Sequence, residues 1–274
     1  MELLQDIAQY TFLKNAFFAA ILASITCGII GTYIVSRRLV FLSGGITHSS
    51  FGGIGLGYFL GFHPILGAAV FGIFTALGIE LFVNRGELRR DSVIGIWWSL
   101  GMAIGIFFIY LTPGYTPNLM AYLFGNILTV AGIDLWLLVI LLGIIVLVFA
   151  AFYYTILFSA FDAEYAKVLR LPVQTINYVM ISLVALTLVF NIKVVGIILV
   201  ISLLTIPPSI GSLYSNSFGK IALIAIFTGM FATFTGLLGA YYFDIPSGAS
   251  IIFALFLLFV VLKTLQKLYL RIQQ

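Results

Sequence analysis

Charge is scarce in this 274-residue chain: only 8% of its residues are Asp, Glu, Lys or Arg, and 62% are hydrophobic. A water-soluble domain of this size needs far more charge to cover its surface, so a soluble globular fold is excluded. Cysteine is nearly absent. The lone Cys27 lies inside the first apolar run, which rules out a disulfide framework and a thiolate metal cluster. No Gly-rich loop ending in Gly-Lys-Ser/Thr occurs, and the glycines at 53, 55 and 57 follow no strand, so the chain has no phosphate loop of its own. It also lacks a His-Glu-x-x-His ligand pair and a serine with an evident base, which argues against an intramembrane enzyme. The segment Met1–Gln9 carries Glu2 and Asp6 instead of basic residues, which is not the pattern of a cleavable signal peptide.

Long apolar stretches separated by short polar breaks are what remains. A crossing needs about 20 apolar residues at 1.5 Å each. That reading gives nine crossings, at 14–36, 39–61, 64–84, 92–112, 133–157, 173–190, 194–214, 220–242 and 248–265. The expected fold is all-α: a polytopic transmembrane bundle of eight to nine spans, forming one membrane domain over 1–274. Residues 118–130 are apolar but too short to span. Bracketed by Pro113, Pro117 and Asp134, they read as an interfacial or re-entrant helix. With the break at Arg37 and Arg38 placed in the cytoplasm, eleven of the thirteen basic residues fall inside, and only Lys14 and Lys193 outside. This bias puts the C-terminus in the cytoplasm. It also accounts for the formal net charge of +4 without nucleic acid. Glycines at 45, 52, 53, 57 and 61, and at 95, 101 and 105, predict that the second and fourth spans approach other helices closely.

His48 is the main candidate for chemistry. Ten residues past Arg38, it sits about 15 Å up a helix, near the bilayer midplane. It is flanked by Ser43, Thr47, Ser49 and Ser50. An ionisable group at that depth is a functional candidate, and imidazole is a common ligand for divalent transition metals. A histidine that only hydrogen-bonds across helices is the alternative. The remaining acids have simpler readings: Asp91 as a helix N-terminal anion, Glu80 in an ion pair with Arg85 or Arg38, Asp134 and Asp244 as cap residues. The break 161–171 (FDAEYAKVLRL) reads as a short amphipathic cytoplasmic helix. Ala163, Ala166, Leu169 and Tyr165 form a small-residue face, with Asp162, Glu164, Lys167 and Arg170 polar. Such a helix suits docking in a partner's groove, or alternatively lying on lipid headgroups.

Five stretches in order carry a specific resemblance: 37–50 (RRLVFLSGGITHSS), 121–128 (AYLFGNIL), 161–169 (FDAEYAKVL), 194–208 (VVGIILVISLLTIPP) and the DIPSGA run from Asp244. Together they resemble the permease subunits of the zinc/manganese/iron ABC importers, across almost the whole chain. The resemblance implies a type II ABC importer-like permease in a prokaryotic plasma membrane, with no enzymatic activity and no bound cofactor. Its partners would be a second copy of the chain, a cytoplasmic ATP-binding subunit and an extracytoplasmic metal-binding protein. It implies a metal-contacting role for His48, with Ser43 and Thr47 nearby, and coupling to the ATPase through Asp162, Ala163, Glu164, Ala166 and Leu169. Two departures stand out. The aspartate usual four residues before that histidine is Gly44 here, and the usual Leu-Gly that closes the coupling helix is Leu169-Arg170. A permease for metal chelates or siderophores, and a gradient-driven secondary transporter, are the competing readings. The second would be favoured by internal repeats with matching broken helices, and none is evident.

Overall fold

The computed structural model describes residues 10–86, 88–113, 125 and 127–272. Among these the secondary structure is helical: α1 (Thr11–Ser36), α2 (Val40–Ser49), α3 (Phe51–Leu60), α4 (Pro64–Asn84), α5 (Arg90–Leu111), α6 (Gly132–Phe161), α7 (Ala163–Val168), α8 (Val173–Val195), α9 (Ile197–Tyr214), α10 (Phe218–Phe243) and α11 (Ser247–Ile272). Eight of them are long and apolar enough to cross a membrane. The expected span at 39–61 is instead two ten-residue helices, α2 and α3, with Ser50 between them in right-handed helical conformation. Together they cover about 30 Å, a full crossing. The expected re-entrant helix at 118–130 lies largely outside the described residues. Its end, Ile127–Thr129, is a single 3-10 turn.

The chain divides into two compact units. One comprises Ser36–Leu119 and Ile144–Ile192, the other Met1–Val35, Met120–Gly143 and Lys193–Gln274. In the first unit, α3 packs on both α4 and α5, and glycine allows it. A Cβ on Gly53 would collide with the backbone of Gly67, and one on Gly67 with the backbone of Gly53. On the other flank, a Cβ on Gly105 would lie 2.5 Å from the Phe51 carbonyl oxygen, and one on Gly101 2.5 Å from that of Ser49. Lipid tails give apolar helices little reason to associate, so backbone-to-backbone dispersion supplies the packing energy. The Arg37 guanidinium donates to the Ser159 carbonyl and, at 3.4 Å, to Asn177 Oδ1, which satisfies a part-buried charge.

In the second unit α9, α10 and α11 pack on one another. Pro207 and Pro208 lie inside α9 and remove two backbone donors. The Leu204 carbonyl loses its partner to Pro208, and Gly31 of α1 packs there: a Cβ at Gly31 would lie 2.5 Å from that oxygen. The break between α8 and α9 falls at Gly196, whose φ of 82° and ψ of 162° are accessible only to glycine. Gly125, at φ 62°, fits against it so closely that a Cβ would collide with the Gly196 nitrogen. Gly125 and Gly196, one from each of two recognised stretches, thus meet.

Candidate functional site

His48 occupies the last turn of α2, half-buried. Its neighbours' hydroxyls bond back along their own helix: Ser43 to the Val40 carbonyl at 2.7 Å, Thr47 to Ser43 at 2.7 Å, Ser49 and Ser50 to Ile46 at 3.0 and 2.7 Å. That is how hydroxyls are accommodated in a bilayer. It engages the proton of Ser43 and Thr47 and leaves only oxygen lone pairs for any ligand. The imidazole stacks face to face on Trp98 of α5, with ring centroids 4.3 Å apart and planes 5° from parallel. Its Nδ1 is buried and has no hydrogen-bond partner among the described residues.

Trp98 was not foreseen. Its spacing was a usable signal, because Trp98 lies eight residues past Arg90 and His48 ten past Arg38. Both basic positions line one small cleft with Asp91 and Phe41. Each ring lies eight residues past the first residue of its helix, Val40 or Arg90, which puts the two rings at one height. Tryptophan inside a long apolar helix is also unusual, since its preferred place is the membrane interface.

One turn before His48, Gly44 is open: a Cβ there would meet nothing within 4 Å. The place where a carboxylate was expected is therefore empty space. Among the described residues no group of three or more His, Cys, Asp or Glu could hold a metal ion. The acids near the start of α5 are engaged in ion pairs. Glu80, only 3% exposed in its side chain, pairs with Arg90 at 3.3 Å, which corrects the expected pairing with Arg85 or Arg38. Asp91 pairs with Arg89 at 3.3 Å on the surface. Asp134 accepts from the Ala131 N–H at 3.1 Å, as a cap should, and also pairs with Lys193. Asp244 is exposed and sits in the left-handed region at φ 52°, closing α10.

The helix expected at 161–171 is α7. Asp162 caps it by accepting from the Tyr165 N–H at 2.9 Å, and Glu164 pairs with Lys167 at 3.0 Å. Its C-terminus closes as a Schellman turn: Leu171 N–H donates to the Ala166 carbonyl at 3.0 Å and Arg170 N–H to Lys167 at 2.9 Å. Arg170 takes the left-handed position (φ 56°) where glycine is usual. The departure from Leu-Gly thus leaves the turn intact. Ala166, expected on the presented face, is fully buried. The apolar groups that α7 exposes are Tyr165, Val168 (78% exposed) and Leu169, with Ala163 half-buried. A six-residue helix has only one inner stripe, and Ala166 occupies it.

Eight helices long and apolar enough to cross a membrane, with a short capped helix between two of them, are the architecture of a multi-pass membrane protein. The model of the ABC 3 transport family matches residues 9–266, and the chain belongs to that family. It is 41% identical over 252 residues to an uncharacterized membrane protein of Synechocystis sp., covering 92% of this chain and 90% of that protein. It is 32% identical over 261 residues to the manganese transport system membrane protein MntC of Listeria monocytogenes, covering 95% and 93%. Among solved structures it is similar to PsaBC from Streptococcus pneumoniae in complex with Fab, with a TM-score of 0.88 and 29% identity over 100% of this chain and 99% of that one. The chain is a multi-pass membrane transport subunit, not an enzyme.

Proposed function

We propose that this chain is the membrane-spanning half of an ATP-driven importer of divalent transition metal ions, with manganese the first candidate and zinc and iron the others. The single observation that carries the reading is His48: an imidazole at mid-depth on a glycine-packed, broken span of an ABC 3 family chain, beside open space at Gly44. Relatives named for manganese transport support the choice of metal. In this reading residues 1–274 act as one permease domain, paired with a second copy. Metal arrives from an extracytoplasmic binding protein, and a separate cytoplasmic ATPase docks on α7 and its flanks, with the C-terminus on the same side. Movement of α7 alternates access to the pathway. His48 in its neutral form donates a ring-nitrogen lone pair to the passing cation. A lone imidazole without a carboxylate binds weakly, which suits a cation in transit rather than a stored one.

Space at Gly44 also favours a second reading, a permease for metal that keeps ligands of its own, as a chelate does. Reconstitution with the ATPase and the binding protein separates the two. Free manganese, zinc and iron are supplied in turn, then the same metals chelated. Stimulation of ATP hydrolysis by a free ion supports the first reading. Stimulation by chelates alone overturns it.

A further inference from the structure

Most histidines that bind metals are oriented by a hydrogen bond from the other ring nitrogen to a carbonyl or carboxylate. His48 has no such support: its Nδ1 is enclosed and unpartnered among the described residues. The turns that precede the pair are also bare. Gly44 lies four residues before His48 and Gly95 three before Trp98, and a Cβ on either would meet nothing within 4 Å. What does hold the ring is the parallel indole of Trp98 at 4.3 Å, itself flanked by Phe41 at 6.5 Å.

We propose that Trp98 is the positioning residue of the His48 site, its indole face doing for the imidazole what a hydrogen bond does at other histidine ligands. The chemistry suits the task. A ring nitrogen's ligand lone pair lies in the imidazole plane, so stacking on the face fixes that plane without competing for the donor electrons. Enclosure of Nδ1 leaves Nε2 as the atom that meets the metal. The stack also tolerates a rise in positive charge on the imidazole when it binds a cation, because the indole face is electron-rich. Orientation by stacking is softer than orientation by a directional hydrogen bond, which fits a ligand that must release its ion at every cycle.

This inference rests on the pathway role proposed for His48, and the test separates the two. Trp98→Ala, Trp98→Phe and His48→Ala are reconstituted with the partner subunits, and manganese uptake is measured. Trp98→Ala should raise KM for the metal about tenfold, the low end of the range for a lost supporting contact, with the maximal rate changed much less. Trp98→Phe, which keeps a ring face, should recover most of that loss. In a protein whose other two tryptophans are replaced (Trp97→Phe, Trp136→Phe), manganese should quench the fluorescence of Trp98, and His48→Ala should abolish the quenching. If His48→Ala is inactive while Trp98→Ala keeps the wild-type KM, the role of Trp98 is refuted and that of His48 survives. Equal damage from Ala and Phe at position 98, or quenching that persists without His48, also refutes it. If His48→Ala transports normally, the pathway reading falls and this inference falls with it.

Discussion

Alanine at Gly53 and alanine at Gly44 add the same methyl group to the same broken span, yet the structure gives them opposite signs. Any Gly→Ala change inside a helix gains about 0.5–1 kcal/mol, because glycine loses more backbone freedom on folding. At Gly44 nothing lies within 4 Å of the new methyl, so the gain stands alone. At Gly53 the methyl collides with the backbone of Gly67, and backbone cannot swing aside as a side chain does. Overpacking costs about 1–3 kcal/mol, and a collision with a backbone oxygen belongs in the upper half of that range, about 2–3 kcal/mol. The net expectation is a loss of about 1–2.5 kcal/mol at Gly53 and a gain of about 0.5–1 kcal/mol at Gly44. For a chain of this size that corresponds to a melting temperature lower by about 2–10 °C for Gly53→Ala and higher by about 1–4 °C for Gly44→Ala. The assay is the fraction of monodisperse protein left after heating in detergent, read by size-exclusion chromatography. A Gly53→Ala protein that melts at or above the wild-type temperature would refute the α3–α4 approach.

Three further outcomes are expected. Val168→Asp should weaken association with the ATPase while leaving the melting temperature of the isolated permease within about 2 °C, because the side chain is exposed; pull-down with the ATPase, set beside the melting curve, checks this. Arg170→Gly should relieve the left-handed strain by about 1 kcal/mol, seen as about fivefold slower hydrogen exchange at the Leu171 amide that closes the turn. Arg90→Ala should destabilise by about 3 kcal/mol, since it strands the buried Glu80 carboxylate, and adding Glu80→Gln in the same protein should recover most of the loss in a thermal assay.

Most span positions were readable because hydropathy and the bilayer's thickness set them. The span expected at 64–84 is α4, Pro64–Asn84, with Pro64 starting the helix as proline can. The errors have local causes. The span expected to end at 190 runs on to Val195, because its polar residues find partners: Asn191 Nδ2 donates to the Thr187 carbonyl at 2.8 Å, and Lys193 pairs with Asp134. The next span was expected to begin at 194, but the chain breaks at Gly196, whose backbone conformation hydropathy does not encode.

At the candidate site the placement of His48 on a helix was legible and its company was not. Which arginine Glu80 takes, and which side of α7 turns inward, depend on how helices distant in sequence pack. The indole over the imidazole is the same kind of fact. Its one trace in the sequence is that His48 follows the basic pair Arg37–Arg38 by ten residues and Trp98 follows Arg89–Arg90 by eight.

The central claim is that His48 contacts the transported metal, and manganese uptake by proteoliposomes carrying the wild type or His48→Ala, each with its ATPase and binding protein, tests it most directly. The account predicts that His48→Ala assembles with the ATPase and hydrolyses ATP at the metal-free rate, but takes up manganese at least tenfold more slowly at low metal concentration. Uptake at the wild-type rate by a fully assembled His48→Ala complex would contradict it.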